Sequence, residues 1–184
     1  MKSLGVPSSS DEGREILESM RSPDRSIGWV AEDAVFWALK NQKWAETTED
    51  IEILEAKRPS ERKIVFLKTT DLHDTREKID FWVHHPNILD QWVPVDMKTG
   101  WKERTRPGVL VWKVEKEDAL AVMGGDQRAK DKAFEAIVGS LILNLRECDE
   151  MDEKRRPGVL NEFAQIRADV LTKKNIYRKK SKKG

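Results

Sequence analysis

The chain has little cysteine and no long apolar run. Cys148 is the one cysteine among 184 residues. A single thiol excludes an intramolecular disulfide, and it excludes zinc or iron–sulfur sites built from several cysteines. No apolar run is long enough to cross a bilayer, and the first residues lack the apolar core of a signal peptide. We therefore expect an intracellular protein, cytoplasmic or in another internal compartment, with no membrane partner.

Several common catalytic motifs are also missing. The sequence contains no Walker-type phosphate-binding loop, no nucleophile elbow and no Cys-x-x-Cys pair. The net charge excludes little, because 34 basic and 33 acidic residues leave a balance of +1. A nucleic-acid partner therefore has to be argued from where the charges lie and not from their sum.

The composition still allows one hydrophobic core. The mean hydropathy is −0.68, which is polar, but 7 tryptophans supply large apolar area. We expect three parts: a flexible N-terminal segment with a short helix over 1–22, a single domain over 23–172, and a basic disordered tail over 173–184.

The predicted tail is basic because no acid follows Asp169. A tail of this kind is usually a disordered, solvated end, and the alternative is an arm that binds phosphate. In the second interpretation Lys179 and Lys180 would contact nucleic acid. The basic residues of the tail are Lys173, Lys174, Arg178, Lys179, Lys180, Lys182 and Lys183.

The hydrophobic pattern predicts a helix, then strands, then further helices. Ser26 can cap a helix over about 27–42, and helical spacing indicates two more helices over about 126–147 and 159–173. Residues 47–57 fit either a helix or a strand. Short links between the strand-like runs predict a meander of antiparallel neighbours. The strand-like runs cover 63–69, 78–84, 91–99 and 108–114.

The first predicted helix carries an acid on its apolar face. Glu32 lies three residues after Trp29 and four before Phe36, so it shares their stripe. An acid that points into an apolar face is costly unless something pairs with it. Glu32 is therefore part of a buried salt bridge, an exposed edge of the stripe, or a metal-site carboxylate aimed at the sheet.

Two neighbouring strands carry further acids. Asp80 lies in the run 78–84, and Asp96 and Lys98 lie in the run 91–99. Residues at i and i+2 of a strand point to one face, so Asp96 and Lys98 share a side of the sheet. If the two strands are paired, two carboxylates and an ammonium converge. Carboxylates are the hard oxygen ligands that suit Mg²⁺ or Mn²⁺.

This order of residues resembles the PD-(D/E)XK nuclease superfamily, over about 26–114. Asp80 matches the acid of the first motif, Asp96 and Lys98 match the acid-x-Lys motif, and Glu32 matches the helical acid. The resemblance implies an α/β, restriction-endonuclease-like fold, with a central mixed sheet of about four strands flanked by helices and a C-terminal helical extension. Two departures stand out: Ile79 occupies a position where proline is common, and a strand-like run follows Lys98 where the family has a helix.

The resemblance also implies a mechanism. Asp80, Asp96 and the backbone carbonyl of Met97 would hold Mg²⁺, or Mn²⁺, and Glu32 would complete the shell directly or through water. The metal would bind a phosphate oxygen and lower the pKa of a water. Lys98 would orient or help deprotonate that water and offset charge in the transition state.

Basic residues follow the predicted site strand directly. Trp101, Lys102, Arg104 and Arg106 combine positive charge with an aromatic ring, which suits phosphate contact and base stacking. The alternative is a solvated loop whose tryptophan packs into the core.

The histidines make weaker candidates. Asp71, His73 and Asp74 could ligate a metal, but they lie in a polar turn. His84 and His85 are adjacent on a strand and so face opposite sides. His84 lies on the same side of the strand as Asp80, so we expect His84, and not His85, to line a cleft.

The leading hypothesis is a Mg²⁺-dependent phosphodiesterase, a deoxyribonuclease and most simply an endonuclease, with DNA as its partner. One alternative is a catalytically inactive nucleic-acid-binding or assembly protein on the same fold, and another is a nuclease that acts on RNA. Nucleases of this size that cut both strands often work as dimers, so a homodimer is one candidate assembly.

Overall fold

The computed structural model of the chain describes residues 27–69, 78–99, 107–124, 126–154 and 158–181. The predicted N-terminal segment, 1–22, lies outside these ranges. Within them the helices are α1 (Ile27–Lys40), α2 (Lys116–Gly124), α3 (Gln127–Lys154) and α4 (Val159–Ser181). The strands are β1 (Ala45–Thr48), β2 (Ile64–Lys68), β3 (Phe81–His85), β4 (Leu89–Lys98) and β5 (Leu110–Lys113), and a 3-10 helix, Ile51–Glu55, precedes β2.

The five strands form one mixed sheet in the order β1-β2-β3-β4-β5. β2, β3 and β4 are antiparallel neighbours, whereas β1 pairs with β2 and β5 pairs with β4 in parallel. The predicted α/β class, with a mixed sheet flanked by helices, is therefore confirmed, with five strands in place of about four. The predicted antiparallel meander is wrong between β4 and β5. The prediction rested on the short link between these two strands, but a link of that length also allows the parallel pairing that the structure has.

Three helices, α1, α2 and α3, cover one face of the sheet, which we call the first face. Its strand residues include Phe81, Val83, Val95 and Trp112, which are packed with helix residues in one apolar cluster. The ring of Phe81 lies 6.2 Å from Phe36 of α1 and 5.9 Å from Trp112, measured between centroids. These aromatic contacts fix α1 over the centre of the sheet.

The opposite, second face is covered by α4 and the 3-10 helix. Arg167 of α4 donates to the Leu54 carbonyl at 2.6 Å, and the indole of Trp92 donates to the Ala56 carbonyl at 2.9 Å. Alternate residues of β2, β3 and β4 thus enter separate cores, as a period of two requires. The buried cluster of the second face contains Leu54, Val65, Leu67, Ile79, Trp82, Trp92, Val109, Ile166 and Val170.

Several boundaries differ from those that the sequence predicts. α3 continues to Lys154, and α4 continues to Ser181, where the sequence predicted a disordered tail from residue 173. The hydrophobic pattern does not predict α2, whose buried residues include Ala119 and Val122. The ambiguous stretch 47–57 divides between β1 and the 3-10 helix, because Asp50 caps that helix by accepting from the Glu52 amide at 2.9 Å.

Across the described ranges, no helix combines the length and the apolar character needed to cross a membrane.

Candidate metal centre

The start of β3 and the end of β4 bring Asp80 next to Asp96. Phe81 pairs with Val95, so one step further along the antiparallel register places Asp80 opposite Asp96. The Asp80 amide donates to the Val95 carbonyl at 2.9 Å, and the Asp80 Oδ2 accepts from the Met97 amide at 2.6 Å. Asp80 is therefore bonded to the residues on both sides of Asp96.

The backbone bends just before β3. Lys78 has a φ of 51°, in the left-handed region that residues other than glycine rarely adopt. Ile79 belongs to the core of the second face, whereas Phe81 belongs to that of the first. In a regular strand residues two apart would share a face. The bend leaves Asp80 at the edge of the regular pairing, where its carboxylate reaches the Met97 amide.

Thr69 holds this bend from the neighbouring strand. It follows the last residue of β2, and its amide donates to the Asp80 carbonyl at 3.0 Å. Its hydroxyl lies within hydrogen-bond distance of the Ile79 carbonyl and of the Asp80 carbonyl. The backbone on both sides of the Asp80 side chain is thus tied to β2 and β4, which fixes where the carboxylate points.

Asp96 and Lys98 form an ion pair along β4. The Lys98 Nζ lies 2.6 Å from the Asp96 Oδ1. The side chain of Asp96 is 1% exposed and that of Lys98 is 15% exposed, so the pair is largely removed from water. Strand alternation puts both on the side of Trp92, because Val95 and Met97 enter the core of the first face.

Glu32 is buried on α1, one turn before Phe36. Phe36 packs against Phe81, the residue after Asp80, so this part of α1 lies near the same end of the sheet. α1 covers the first face, whereas strand alternation directs Asp96 towards the second. The role of Glu32 as a third carboxylate of a metal shell therefore stays a prediction.

Next to Glu32, a second acid of α1 has a partner on the sheet. Asp33 pairs with Lys68, and the Lys68 Nζ also lies 5.8 Å from the centroid of the Phe36 ring. Lys68 is the register partner of Phe81. A second acid–lysine pair thus stands close to the strand end that bears Asp80, on the first face.

In the parts of the chain that the structure describes, no group of three or more His, Cys, Asp or Glu side chains is placed to hold a metal ion. The end of the sheet offers two adjacent carboxylates, Asp80 and Asp96. Mg²⁺ in proteins is commonly held by one or two carboxylates together with waters and substrate phosphate. The donor set fits a magnesium site of that kind, with the Met97 carbonyl as a candidate backbone ligand.

The two histidines of β3 lie at its other end. His84 lies four positions after Asp80, a separation of about 13 Å along the strand. His84 is buried, and its ring meets Trp92 edge-on at 5.7 Å between centroids. His85 accepts at Nδ1 from the Asn87 amide at 3.1 Å. Burial lowers the pKa of His85, and the charge of Arg146 lowers it further.

The remaining predicted positions are not described as side chains. Lys102, Arg104 and Arg106 lie outside the described residues, as do Asp71, His73 and Asp74. Lys179 and Lys180 fall within α4, but their side chains lie outside the description. Their role in binding nucleic acid stays a prediction.

Sequence reasoning missed the residues that support the acids. It did not single out Lys68 or Thr69. The available signal was that two polar residues, Lys68 at the end of β2 and Thr69 just after it, follow a buried apolar run. In an antiparallel pair the end of β2 lies beside the start of β3, so this pairing places Lys68 and Thr69 next to Asp80.

No protein-family model, no curated protein and no solved structure matches this chain. The functional argument therefore depends on the site itself.

Proposed function

We propose that the protein is a divalent-metal-dependent nuclease that hydrolyses phosphodiester bonds in DNA. Asp80 and Asp96 would hold the metal, and Lys98 would act beside it. The proposal includes a restriction-endonuclease-like fold, which is supported by a leading helix and a mixed sheet whose neighbouring strands carry Asp80 and Asp96-x-Lys98.

One observation carries the proposal. Among the acids whose side chains the structure describes, Glu32, Asp80 and Asp96 are the buried ones, and the others are half-buried or exposed. An ionised carboxylate is expensive to bury unless a cation compensates it. Asp80 and Asp96 are neighbours on paired strands, and Asp96 is ion-paired with Lys98 at 2.6 Å. A divalent cation held by both carboxylates would offset the repulsion between them, which supports a metal site at this end of the sheet.

Each residue of the site would have a separate task. Asp80, oriented by the Met97 amide and by Thr69, would present one carboxylate, and Asp96 would present the other. When bound, Mg²⁺ supplies Lewis acidity towards a phosphate oxygen and lowers the pKa of a water. Glu32 would contact that water shell from α1.

Lys98 would act on the substrate and not on the metal. A protonated ammonium has no lone pair, so it cannot be a ligand. Its ion pair with Asp96 holds the Nζ beside the carboxylates. From there Lys98 can orient the attacking water and offset the negative charge that builds on the phosphorus oxygens in the transition state.

Cleavage of defined nucleic acids tests the proposal. The full chain is incubated with supercoiled, linear, branched and single-stranded DNA and with single-stranded RNA, each with Mg²⁺, Mn²⁺ or EDTA. We expect cleavage of at least one DNA form with either metal and none with EDTA. Cleavage of RNA alone would replace the DNA assignment with the RNA-directed alternative.

A second measurement, independent of activity, reports on the metal. Thermal unfolding is followed with increasing Mg²⁺, because a ligand that binds only the folded state stabilises it by about 2.7 kcal/mol at one hundred times its dissociation constant. We expect the melting temperature to rise with Mg²⁺. If DNA binds while neither cleavage nor a metal-dependent rise occurs, the chain is a binding protein and the nuclease proposal is wrong.

A further inference from the structure

A pocket of about 400 Å³ opens at the end of the sheet opposite to the candidate metal centre. One wall is the turn that links β3 to β4, with Pro86, Asn87 and Ile88. The other wall is the segment before β2, with Arg58 and Glu61. Its volume lies within the range of about 300–1,000 Å³ that is usual for small-molecule sites. The nuclease proposal uses none of these residues.

The inner wall of the pocket is polar. His84 lines it and is 1% exposed, so its imidazole lies behind the outer residues. Ser60 also lines it, and its Oγ accepts from the Lys63 amide at 3.1 Å. This bond fixes the position of the hydroxyl oxygen and leaves its proton to donate. Ser60 is therefore placed to donate to a polar ligand, and Asn87, which also lines the pocket, adds a side-chain carboxamide.

The exposed residues of the pocket carry opposite charges. Arg58 brings a guanidinium and Glu61 brings a carboxylate, and both residues are exposed. A simple anion such as phosphate would be attracted by Arg58 but repelled by Glu61. A ligand with an anionic group at one end and N–H donors at the other would satisfy both.

The wall opposite Arg58 and Glu61 adds apolar surface. Pro86 and Ile88 line it, and they can pack on the face of a flat ring, while the imidazole of His84 offers an aromatic surface behind them. The pocket thus combines a site for an anion, a site for a donor and a surface for a planar group.

We propose that this pocket binds a nucleoside monophosphate whose base carries an exocyclic amino group, either free or as the terminal residue of a strand. Arg58, with Ser60 and Asn87, would bind the phosphate. Glu61 would accept from the amino group, as acidic side chains do from the N4 amino group of cytosine. Thymine and uracil lack that amino group, so the pocket selects against them. The proposal does not depend on the nuclease activity, because the metal centre lies at the other end of β3.

Binding is measured by isothermal titration calorimetry on the full chain in EDTA, so that no metal-dependent cleavage occurs. The probes are dCMP, dTMP and inorganic phosphate. We expect dCMP to bind about tenfold more tightly than dTMP, which is the scale of one well-placed base contact. Phosphate alone should bind more weakly than either nucleotide. Absence of dCMP binding at millimolar concentration would overturn the proposal.

Two exposed residues can be changed without opening the core. Arg58→Gln should weaken the binding of both nucleotides about tenfold, by removing a charge-assisted contact. Glu61→Gln should instead abolish the preference for dCMP over dTMP, because the amide presents both a donor and an acceptor. Lys57→Gln is the matched control, since Lys57 is an exposed cation next to Arg58 that does not line the pocket. Equal weakening by Lys57→Gln and Arg58→Gln would refute the site.

The same titration separates the two sources of the ligand. A single-stranded oligonucleotide that begins with a 5′-phosphorylated deoxycytidine is compared with the same strand bearing a 5′-hydroxyl. Tighter binding of the phosphorylated strand than of the hydroxyl strand assigns the pocket to strand ends. Binding of dCMP without a difference between the strands assigns it to free nucleotides.

Discussion

β3 and β4 carry polar side chains at both of their ends, and the two ends hold them differently. At one end Asp80 and Asp96 are buried, and hydrogen bonds and an ion pair to Lys98 fix their positions. At the other end Arg58 and Glu61 are exposed around an open pocket. In our proposals the first end would hold a small, highly charged ion, and the second would hold an organic ligand.

The difference shows what strand alternation can and cannot predict. Asp96 and Trp92 share one side of β4, and His84 pairs with Trp92. Parity alone therefore assigns an acid of the metal centre and a pocket histidine to the same face. Position along the strand separates them, because about 13 Å of strand lies between Asp80 and His84.

The largest expected effect is at the end of the sheet that bears Asp80 and Asp96, which we call the acid end. Asp96→Asn keeps the shape of the side chain but removes its charge, so it should lower cleavage by about a thousandfold, which is the upper range for one electrostatic contact in an active site. It should also abolish the Mg²⁺-dependent rise in melting temperature. DNA affinity should increase, because a charge that repels phosphate is lost. Cleavage, melting and DNA binding are measured on the same preparation.

Glu55→Gln is the control for this change, since Glu55 starts an acid-x-Lys pair with Lys57 and is exposed. Glu55→Gln should leave cleavage and the Mg²⁺ response as they are. A similar loss of cleavage and of the Mg²⁺ response in Asp96→Asn and Glu55→Gln would show that Asp96 is not a metal ligand.

The next effect is that of the lysine. Lys98→Ala should reduce cleavage about a hundredfold, as expected for the loss of a group that helps a proton transfer or stabilises charge. The Mg²⁺-dependent rise in melting temperature should persist, because Lys98 is not a ligand. Lys57→Ala serves as the control. If Lys98→Ala instead abolishes the Mg²⁺ response, Lys98 and Asp96 share a structural role. The assignment of metal binding to Asp96 and of substrate contact to Lys98 is then wrong.

A smaller effect is expected from Thr69. Thr69→Val removes the hydroxyl that contacts the Ile79 and Asp80 carbonyls but keeps the backbone bond to Asp80. The carboxylate of Asp80 should then be less well positioned, and the Mg²⁺ concentration at half of the melting shift should rise about threefold to tenfold, since supporting contacts of metal ligands affect affinity by about tenfold or more. Thr69→Ser should restore it. An unchanged Mg²⁺ midpoint in Thr69→Val would remove Thr69 from the site.

The smallest effect concerns the pH dependence of the melting temperature, through His85 at the opposite end of β3 from Asp80. The pKa of His85 is lowered by burial and then by Arg146, so protonation opposes folding. Stability from this group is complete above the unfolded pKa of about 6.5 and is lost as the pH falls through the folded value. His85→Gln should flatten the decline of melting temperature between pH 7.5 and pH 5. Arg146→Gln should flatten it in part, and a steeper decline in either variant would contradict the assignment.

The sequence predicted the acids of the candidate site because their signals are local. Glu32 was identified by helical spacing and is buried on α1, and Asp80 and Asp96 were identified by their places on neighbouring strands and are adjacent. The spacing of Asp96 and Lys98 predicts a shared side, and the ion pair places them together. Whether Glu32 joins a metal shell depends on how α1 passes the end of the sheet, which no local pattern encodes.

The errors in the fold come from weak or non-local signals. β1 buries little more than Ala45, so its sequence has no apolar alternation to detect, and it exists because β2 offers a parallel partner. β5 was expected beside β4 and pairs with it, but the parallel direction of that pairing is not encoded in the hydrophobic pattern. The pocket was missed because Arg58 and Glu61 lie in an irregular segment, distant in sequence from His84.

The order of the chain has a consequence for synthesis. The ribosome releases all five strands before α4, whose residues Ile166 and Val170 complete the core of the second face. At a synthesis rate of about 5–20 residues per second, several seconds pass between the synthesis of Trp82 and Trp92 and that of α4. During this interval Trp82 and Trp92 lack the contacts with Ile166 and Val170 that complete their cluster in the folded chain.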